Sequence, residues 1–239
     1  MGWNRLKLSW DNENQKKILG TRGIHQGKQC VVMATGPSLN EVDLSLIEDH
    51  PFVMGVNGAF HHRNHFRYYF CSSSDFYLPN ENRINEIHSD YFFFSSFIPY
   101  KRSSTNIYLK LDEKSMLGKK AMEKFQPNLL ATLSWGPTVL LDLVFPVLLW
   151  MKFSQIILLG ANYSLHRYRH FYPETEHKTV FAATHHEEEM RLAHHGFGRL
   201  LRFLQESEIP VEIYNCSPSS DLPHFPKAPL EKLIKNETV

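Results

Sequence analysis

The sequence is poor in cysteine. Cys30, Cys71 and Cys216 are the only three in 239 residues, far apart, with no Cys-x-x-Cys pair. This argues against a disulfide framework or a zinc ribbon and points to a reducing compartment. A charge surplus is also missing: 26 Lys+Arg stand against 25 Asp+Glu, a net charge of +1. Nucleic-acid binders usually carry a basic excess, so nucleic acid is not expected as a partner. Long apolar runs are absent. The most apolar stretch, Val139 to Met151, contains Asp142 and Pro146, and a spanning helix needs about 20 apolar residues. That stretch reads as a helix buried in a soluble core. The first residues turn polar at once, and Leu6 spoils the myristoylation pattern that Gly2 would open. A cytoplasmic protein is expected, with a peripheral contact at the inner membrane face left open. Gly-x-Gly-x-x-Gly and the P-loop Gly-Lys-Ser/Thr are missing too. No Asp-x-Asp stands in a strand-end loop, which argues against a metal-bound diphosphate donor.

What is present is an ordinary globular composition, 42% hydrophobic, with 14 His and 17 Phe. Residues 1–28 are a polar lead-in. From residue 29 to 239 the pattern is that of one α/β domain. Short continuous apolar runs fall at 30–34, 51–56, 67–71, 91–95, 155–160 and 210–214, as expected of strands covered on both faces. Helices are expected from about 136 to 151 and from about 186 to 206. This alternation predicts a single doubly wound, mostly parallel, Rossmann-like sheet with a lid-like insertion. Residues 97–128 have weak periodicity and 161–184 are polar, aromatic and His-rich. Both are candidate lid segments. Ligands of such sheets bind outside the carboxyl ends of the strands. The loops to inspect are therefore 35–38, 57–60, 72–77 (with Ser74 and Asp75), 160–172 and 215–220.

The first motif is Ala34-Thr35-Gly36-Pro37-Ser38-Leu39, directly after the first strand. Gly36 permits close approach to the backbone, Pro37 suits a first helical position, and Ser38 with the free N–H groups can hold a phosphate at the positive helix end. A plain capped turn is the structural alternative. The second is a run of histidines: His166, His170, His177, His185, His186, His194 and His195. Their spacing is not His-Glu-x-x-His and fixes no metal geometry, so no metal is expected. Met190, His194, Phe197, Leu201 and Leu204 follow spacings of 4, 3, 4 and 3, which place them on one helical stripe and turn His195 outward. His194 is thus either a core histidine or a general base reaching the strand-end cleft. Cys216 has no neighbouring His and is not read as a nucleophile.

The blocks Gly36-Pro37-Ser38-Leu39, Glu41-Val42-Asp43-Leu44 and Val56-Asn57 resemble the bacterial lipooligosaccharide sialyltransferases that use CMP-sialic acid. So do Ile156 to Gly160 and Tyr214-Asn215-Cys216-Ser217-Pro218. The resemblance extends to the broader related group that includes 6-hydroxymethylpterin pyrophosphokinases, and spans about residues 29–225. It implies that Thr35, Gly36, Pro37 and Ser38 face the donor phosphates and ribose, and that Asn57, Ser74, Asn162 and Ser217 complete the donor site. It implies two loop tyrosines on the leaving phosphate, taken from Tyr163, Tyr168 and Tyr172, with Tyr163 and Tyr172 preferred, and a histidine base at His194. Arg167 or Arg169 would assist the leaving group. Two departures stand out. Asn162 replaces the family's aspartate after the central strand. The family's Arg-x-x-Ser-Gly is replaced by Leu133-Ser134-Trp135-Gly136-Pro137, nearer to the broader group.

The expected function is a metal-independent glycosyltransferase moving sialic acid or a related acidic sugar from a CMP donor to a cell-surface saccharide. Its partners are a nucleotide-sugar donor and a saccharide acceptor; no cofactor is expected beyond the donor substrate, and homo-oligomerisation is left open. The alternatives are a pyrophosphokinase-like enzyme using ATP and Mg, with Asp75 and Glu174 as carboxylates, and a non-catalytic nucleotide-binding protein.

Overall fold

A computed structural model describes residues 12–101, 103–112, 125, 127–134, 138–164, 170–172 and 176–234. Seven strands form one sheet: β1 (Gln29–Met33), β2 (Val53–Val56), β3 (His65–Cys71), β4 (His88–Ser95), β5 (Asn106–Leu109), β8 (Gln155–Leu159) and β9 (Glu212–Asn215). Their order is β5-β4-β3-β2-β1-β8-β9, and every neighbouring pair is parallel. Two short strands, β6 (Leu111–Asp112) and β7 (Leu133–Ser134), pair separately. The fold is thus a doubly wound α/β sheet. From β1 the chain winds outward to β5, then returns to lay β8 on the other side of β1. The order reverses between β1 and β8, and such a switch point leaves a crevice at the carboxyl ends of the two strands.

The composition of β1 explains its central place. All five residues, Gln-Cys-Val-Val-Met, are buried, and a period of two sends alternate side chains to opposite faces. Cys30 and Val32 join the layer of α3 (Phe145–Trp150) and α4 (Glu176–Glu206), through Leu148, Phe197, Leu200 and Leu204. Val31 and Met33 join the other layer, with Leu39, Ile47, Phe60 and Ile84, the last from α2 (Ser74–Asn85). The apolar run before residue 151 is buried as expected. It starts as a π turn over Leu140–Val144, in which Phe145 N–H donates to Leu140 O. Pro146 cannot donate to the carbonyl of Asp142, and widening the turn ahead of the ring accommodates it. Residues 135–137, where this helix was expected to open, lie outside the described residues.

Three segments differ from expectation. The polar lead-in is built into the domain: α1 (Asn12–Gly20) covers the edge of the sheet. The Asn14 amide donates to Tyr108 O at 2.8 Å and accepts from Tyr108 N at 2.9 Å. One side chain therefore acts as a strand partner for edge strand β5, and Ile18 anchors the helix in the core. The weakly periodic segment 97–128 contains β5 and β6. Their apolar runs are too short for periodicity to reveal, and residues 113–124 lie outside the described residues. Finally, α4 begins at Glu176 rather than near 186, so the connection after β8 is 160–175. The added first turns, residues 176–185, hold one consecutive apolar run, Val180 to Ala183, rather than apolar residues three or four apart.

Candidate active site at the sheet switch point

The carboxyl ends of β1 and β8 are sewn together through backbone. Ala34 N donates to Leu159 O at 2.8 Å, and Gly36 N to Gly160 O at 2.8 Å. Gly160 has φ +67, a left-handed conformation that suits glycine. Gly36 is required by space: a Cβ there would stand 2.5 Å from Gly160 O and 2.2 Å from Asn162 Oδ1. Pro37 opens a 3-10 turn, Pro37–Glu41.

The free donors of that turn are already used. Asn162 Oδ1 accepts from Ser38 N at 3.1 Å and from Ser38 Oγ at 2.6 Å. Ser38 is fully buried. Asn162 Nδ2 reaches Ser219 O at 3.2 Å. Ser217 Oγ accepts from Ala161 N at 2.8 Å and is also buried. Ser38, Asn162 and Ser217 thus tie the loops after β1, β8 and β9 into one platform. Both backbone polar groups of Gly36 are taken, by Gly160 O and Leu39 N, so the partly exposed Thr35 and Pro37 are what the turn leaves to a ligand. A cavity of about 380 Å³ opens beside the platform, lined by Glu41, Val42, Leu46, Cys216, Pro218 and Leu230 among others. Its size lies within the range of small-molecule sites. Cys216 lines it, but burial, with Glu231 nearby, pushes its thiol up to about 11, so it is not an activated nucleophile.

On the β2 side, Asn57 takes a strained φ of +45. Its backbone carbonyl accepts from Tyr69 OH at 2.6 Å. Its Oδ1 is buried, with no hydrogen-bond partner among the described residues. Buried acceptors are normally satisfied, and strained backbone collects at ligand sites. The segment 170–172 covers this point. Phe171 N donates to Thr35 O at 3.0 Å. Tyr172 packs on Gly58, where a Cβ would meet its ring at 2.2 Å. The same ring stacks between His61 (4.5 Å) and His170 (5.0 Å), and Phe171 stacks on His62 at 4.3 Å. Ser74 is the first residue of α2, after the carboxyl end of β3.

On the β8 side, Tyr163 also has a positive φ, +48. Its ring meets Phe197 edge-on at 4.8 Å. Burial pushes its phenol well above the usual range, against a hydrogen bond with Thr138, so it stays a protonated donor. His194 is half-buried on α4, and its Nε2 lies 3.0 Å from Tyr163 O. A carbonyl only accepts, so Nε2 carries the proton and Nδ1 is the basic atom. The buried stripe of α4 is Ala193, Phe197, Leu200 and Leu204, so His194 lies at its flank rather than on its centre line. His195 is exposed, as expected.

The structure therefore brings Thr35, Gly36, Pro37, Ser38, Asn162, Ser217, Tyr163 and His194 into one continuous loop system, with Asn57 and Tyr172 on its β2 flank. Tyr168, His166, Arg167, Arg169 and Glu174 lie outside the described residues, as do the side chains of His177, His185 and His186. One neighbour was not legible in the sequence. The His224 ring is 5.4 Å from that of His194, delivered by a loop thirty positions further along the chain. Burial and the facing His194 and His195 hold its imidazole below the ordinary histidine value. Among the described residues no group of three His, Cys, Asp or Glu is placed to hold a metal ion. No helix there is long and apolar enough to cross a membrane.

Switch-point topology and a glycine turn at the crevice define a doubly wound, mostly parallel α/β fold. No family model and no curated protein matches the chain. Among solved structures it is similar to the sialyltransferase CST-II in complex with a trisaccharide acceptor and CMP, at 14% identity and TM-score 0.50. The match covers 84% of this chain and 85% of the other. It is equally similar to CstII from Campylobacter jejuni in complex with the substrate analogue cytidine-5'-monophosphate, again at 14% identity, TM-score 0.50 and 84% and 85% coverage. The resemblance carried by the Gly36-Pro37-Ser38-Leu39 block thus extends to the fold.

Proposed function

We propose that the protein is a glycosyltransferase that takes an acidic sugar such as sialic acid from a CMP donor and joins it to a saccharide hydroxyl. One observation carries this reading. The loop 160–163 touches the glycine turn through Gly160 and Asn162, and one residue later holds His194 through Tyr163 O. A donor seated against the turn and an acceptor beside His194 would therefore share one rigid frame. The CMP complexes of its fold neighbours support the choice of nucleotide.

In this reading the cytidine monophosphate lies along Thr35 and Pro37, with a donor hydroxyl or amino group satisfying Asn57 Oδ1. His194 Nδ1 removes the acceptor hydroxyl proton while the oxygen attacks the anomeric carbon. The bond from that carbon to the phosphate oxygen breaks and CMP departs with the electron pair. Tyr172 supplies a phenolic hydrogen bond to the departing phosphate, while the buried Tyr163 phenol stays with Thr138 and its carbonyl orients His194. No step calls on a metal ion.

A thermal-shift panel tests nucleotide choice: CMP should raise the melting temperature, and ATP with Mg²⁺ should not. The reverse result overturns this reading in favour of phosphotransfer. His194→Ala should abolish sugar transfer while leaving the CMP shift intact, and EDTA should leave wild-type turnover unchanged. Retained turnover in His194→Ala would reject the base.

A further inference from the structure

The end of the sheet opposite the switch point holds a second cavity. It measures about 620 Å³ and is formed where the amino ends of β2, β3 and β4 meet the loops before them. Parallel sheets carry their established ligands at the other end, so this hollow is not an extension of the site described above. Its floor is apolar: Val53, Phe66 and Ile87 are buried. Its rim is basic: Arg63, Arg67, His50, His65 and His88 line it, with Asp90 as the one carboxylate.

The rim groups divide into those that build the wall and those turned to the hollow. His50 is committed to the wall, since its Nδ1 accepts from Phe52 N at 3.2 Å and its Nε2 faces Gln29 Oε1 at 3.3 Å. Asp90 is committed to Arg67, Oδ2 to Nε at 3.0 Å. Arg63 donates one N–H to Ile47 O at 3.3 Å, which leaves the other donors of its guanidinium to the hollow it lines; burial lowers its pKa, with Glu48 opposing. His65 and His88 are different. They are register partners on β3 and β4, both exposed, stacked at 4.6 Å and 15°. Two parallel imidazoles 4.6 Å apart can each direct an N–H to one tetrahedral anion. Arginine and histidine around a single oxyanion form charge-assisted bonds, the strong kind. The cavity is far larger than a bare phosphate fills, and its apolar floor suits the carbon body of a ligand.

We infer that this amino-end cavity binds a phosphomonoester carried on a polyol body, with His65, His88 and Arg63 on the phosphate and the Phe66 floor under the body. Such chemistry comes from two sources, a soluble sugar phosphate or the headgroup of a phosphate-ended lipid. The probes are glucose 6-phosphate, with glucose as control, and phosphatidylcholine vesicles with and without phosphatidic acid. Histidine C2–H signals of His65 and His88 are followed by NMR on the whole chain, alongside vesicle co-sedimentation.

The expected result is saturable movement of both signals with glucose 6-phosphate, at a Kd of about 1 mM or tighter, and none with glucose. Co-sedimentation only with phosphatidic acid, and no response to glucose 6-phosphate, assigns the site to a lipid headgroup. The double variant His65→Gln/His88→Gln should weaken whichever probe binds about tenfold, while the CMP thermal shift stays at the wild-type value. Arg63→Gln serves as the second variant should the histidine pair fail to fold. Absence of any response to both probes, or binding unchanged in both variants, overturns the inference. A lost CMP shift in wild type would instead strike the glycosyltransferase reading and leave this one standing.

Discussion

Acidification should destabilise this protein through His25. The ring is buried, only 7% exposed, packed between Phe52 at 4.6 Å and Phe153 at 4.7 Å. Its Nε2 lies 2.6 Å from Tyr68 OH. Burial, with Arg67 adding to it, lowers its pKa from 6.5 to about 4. A group whose folded-state value is depressed and whose charged form is the cation favours the native state when neutral. Stability is therefore intact above about pH 6.5 and falls as the pH drops from there towards 4, because the unfolded chain takes up the proton first. Between pH 7.5 and pH 5 the linkage amounts to at most about 2 kcal/mol. In a chain of this length that corresponds to roughly 4–8 °C of melting temperature. The assay is urea unfolding at both pH values, for the wild type and for His25→Phe. The variant is expected to be less stable at pH 7.5, since Tyr68 OH loses its partner, but to lose about 2 kcal/mol less on acidification. His61, His62 and His224 are also held low by burial, yet they contribute equally to both proteins and cancel. Equal losses on acidification in the two proteins would refute the argument.

Two further substitutions test the frame. Asn14→Ala removes both bonds to the backbone of Tyr108 and should destabilise by about 1–3 kcal/mol, with faster amide exchange confined to β5; unchanged exchange there would show that the edge is protected by other means. Gly36→Ala sets a methyl against Gly160 O and Asn162. It should cost about 1–3 kcal/mol or more and abolish the CMP thermal shift, whereas wild-type CMP binding in that variant would place the nucleotide elsewhere.

Much of the fold was legible because its signals are local. The buried strands are continuous apolar runs, and Gly36-Pro37 punctuates the turn after β1 at the right place. The limits were also local in origin. Strand β5 escaped notice because a four-residue run carries little periodicity; it pairs with β4, and its outer edge is met by Asn14, more than ninety positions earlier in the chain. The first turns of α4 escaped because helix there is not marked by an apolar stripe.

For the candidate site, the loops that meet at the switch point were legible and the partner of each side chain was not. The sequence offered Ser38 to a phosphate and Asn162 to the donor, while the folded chain binds the two to each other. His224 beside His194, and Tyr172 on Gly58, are pairings between distant segments that no spacing rule encodes.

By itself, then, the sequence determined which continuous apolar runs become buried strands, which turn needs a glycine, and which histidines fall near the inner face of the last long helix. Each of these follows from backbone sterics, from burial or from side-chain chemistry within a few residues. Only the tertiary structure decided the strand order that opens the crevice between β1 and β8, the partner each polar group takes, and which nitrogen of His194 is left basic. Those depend on contacts between segments far apart in the chain, and such contacts exist only once the sheet has closed.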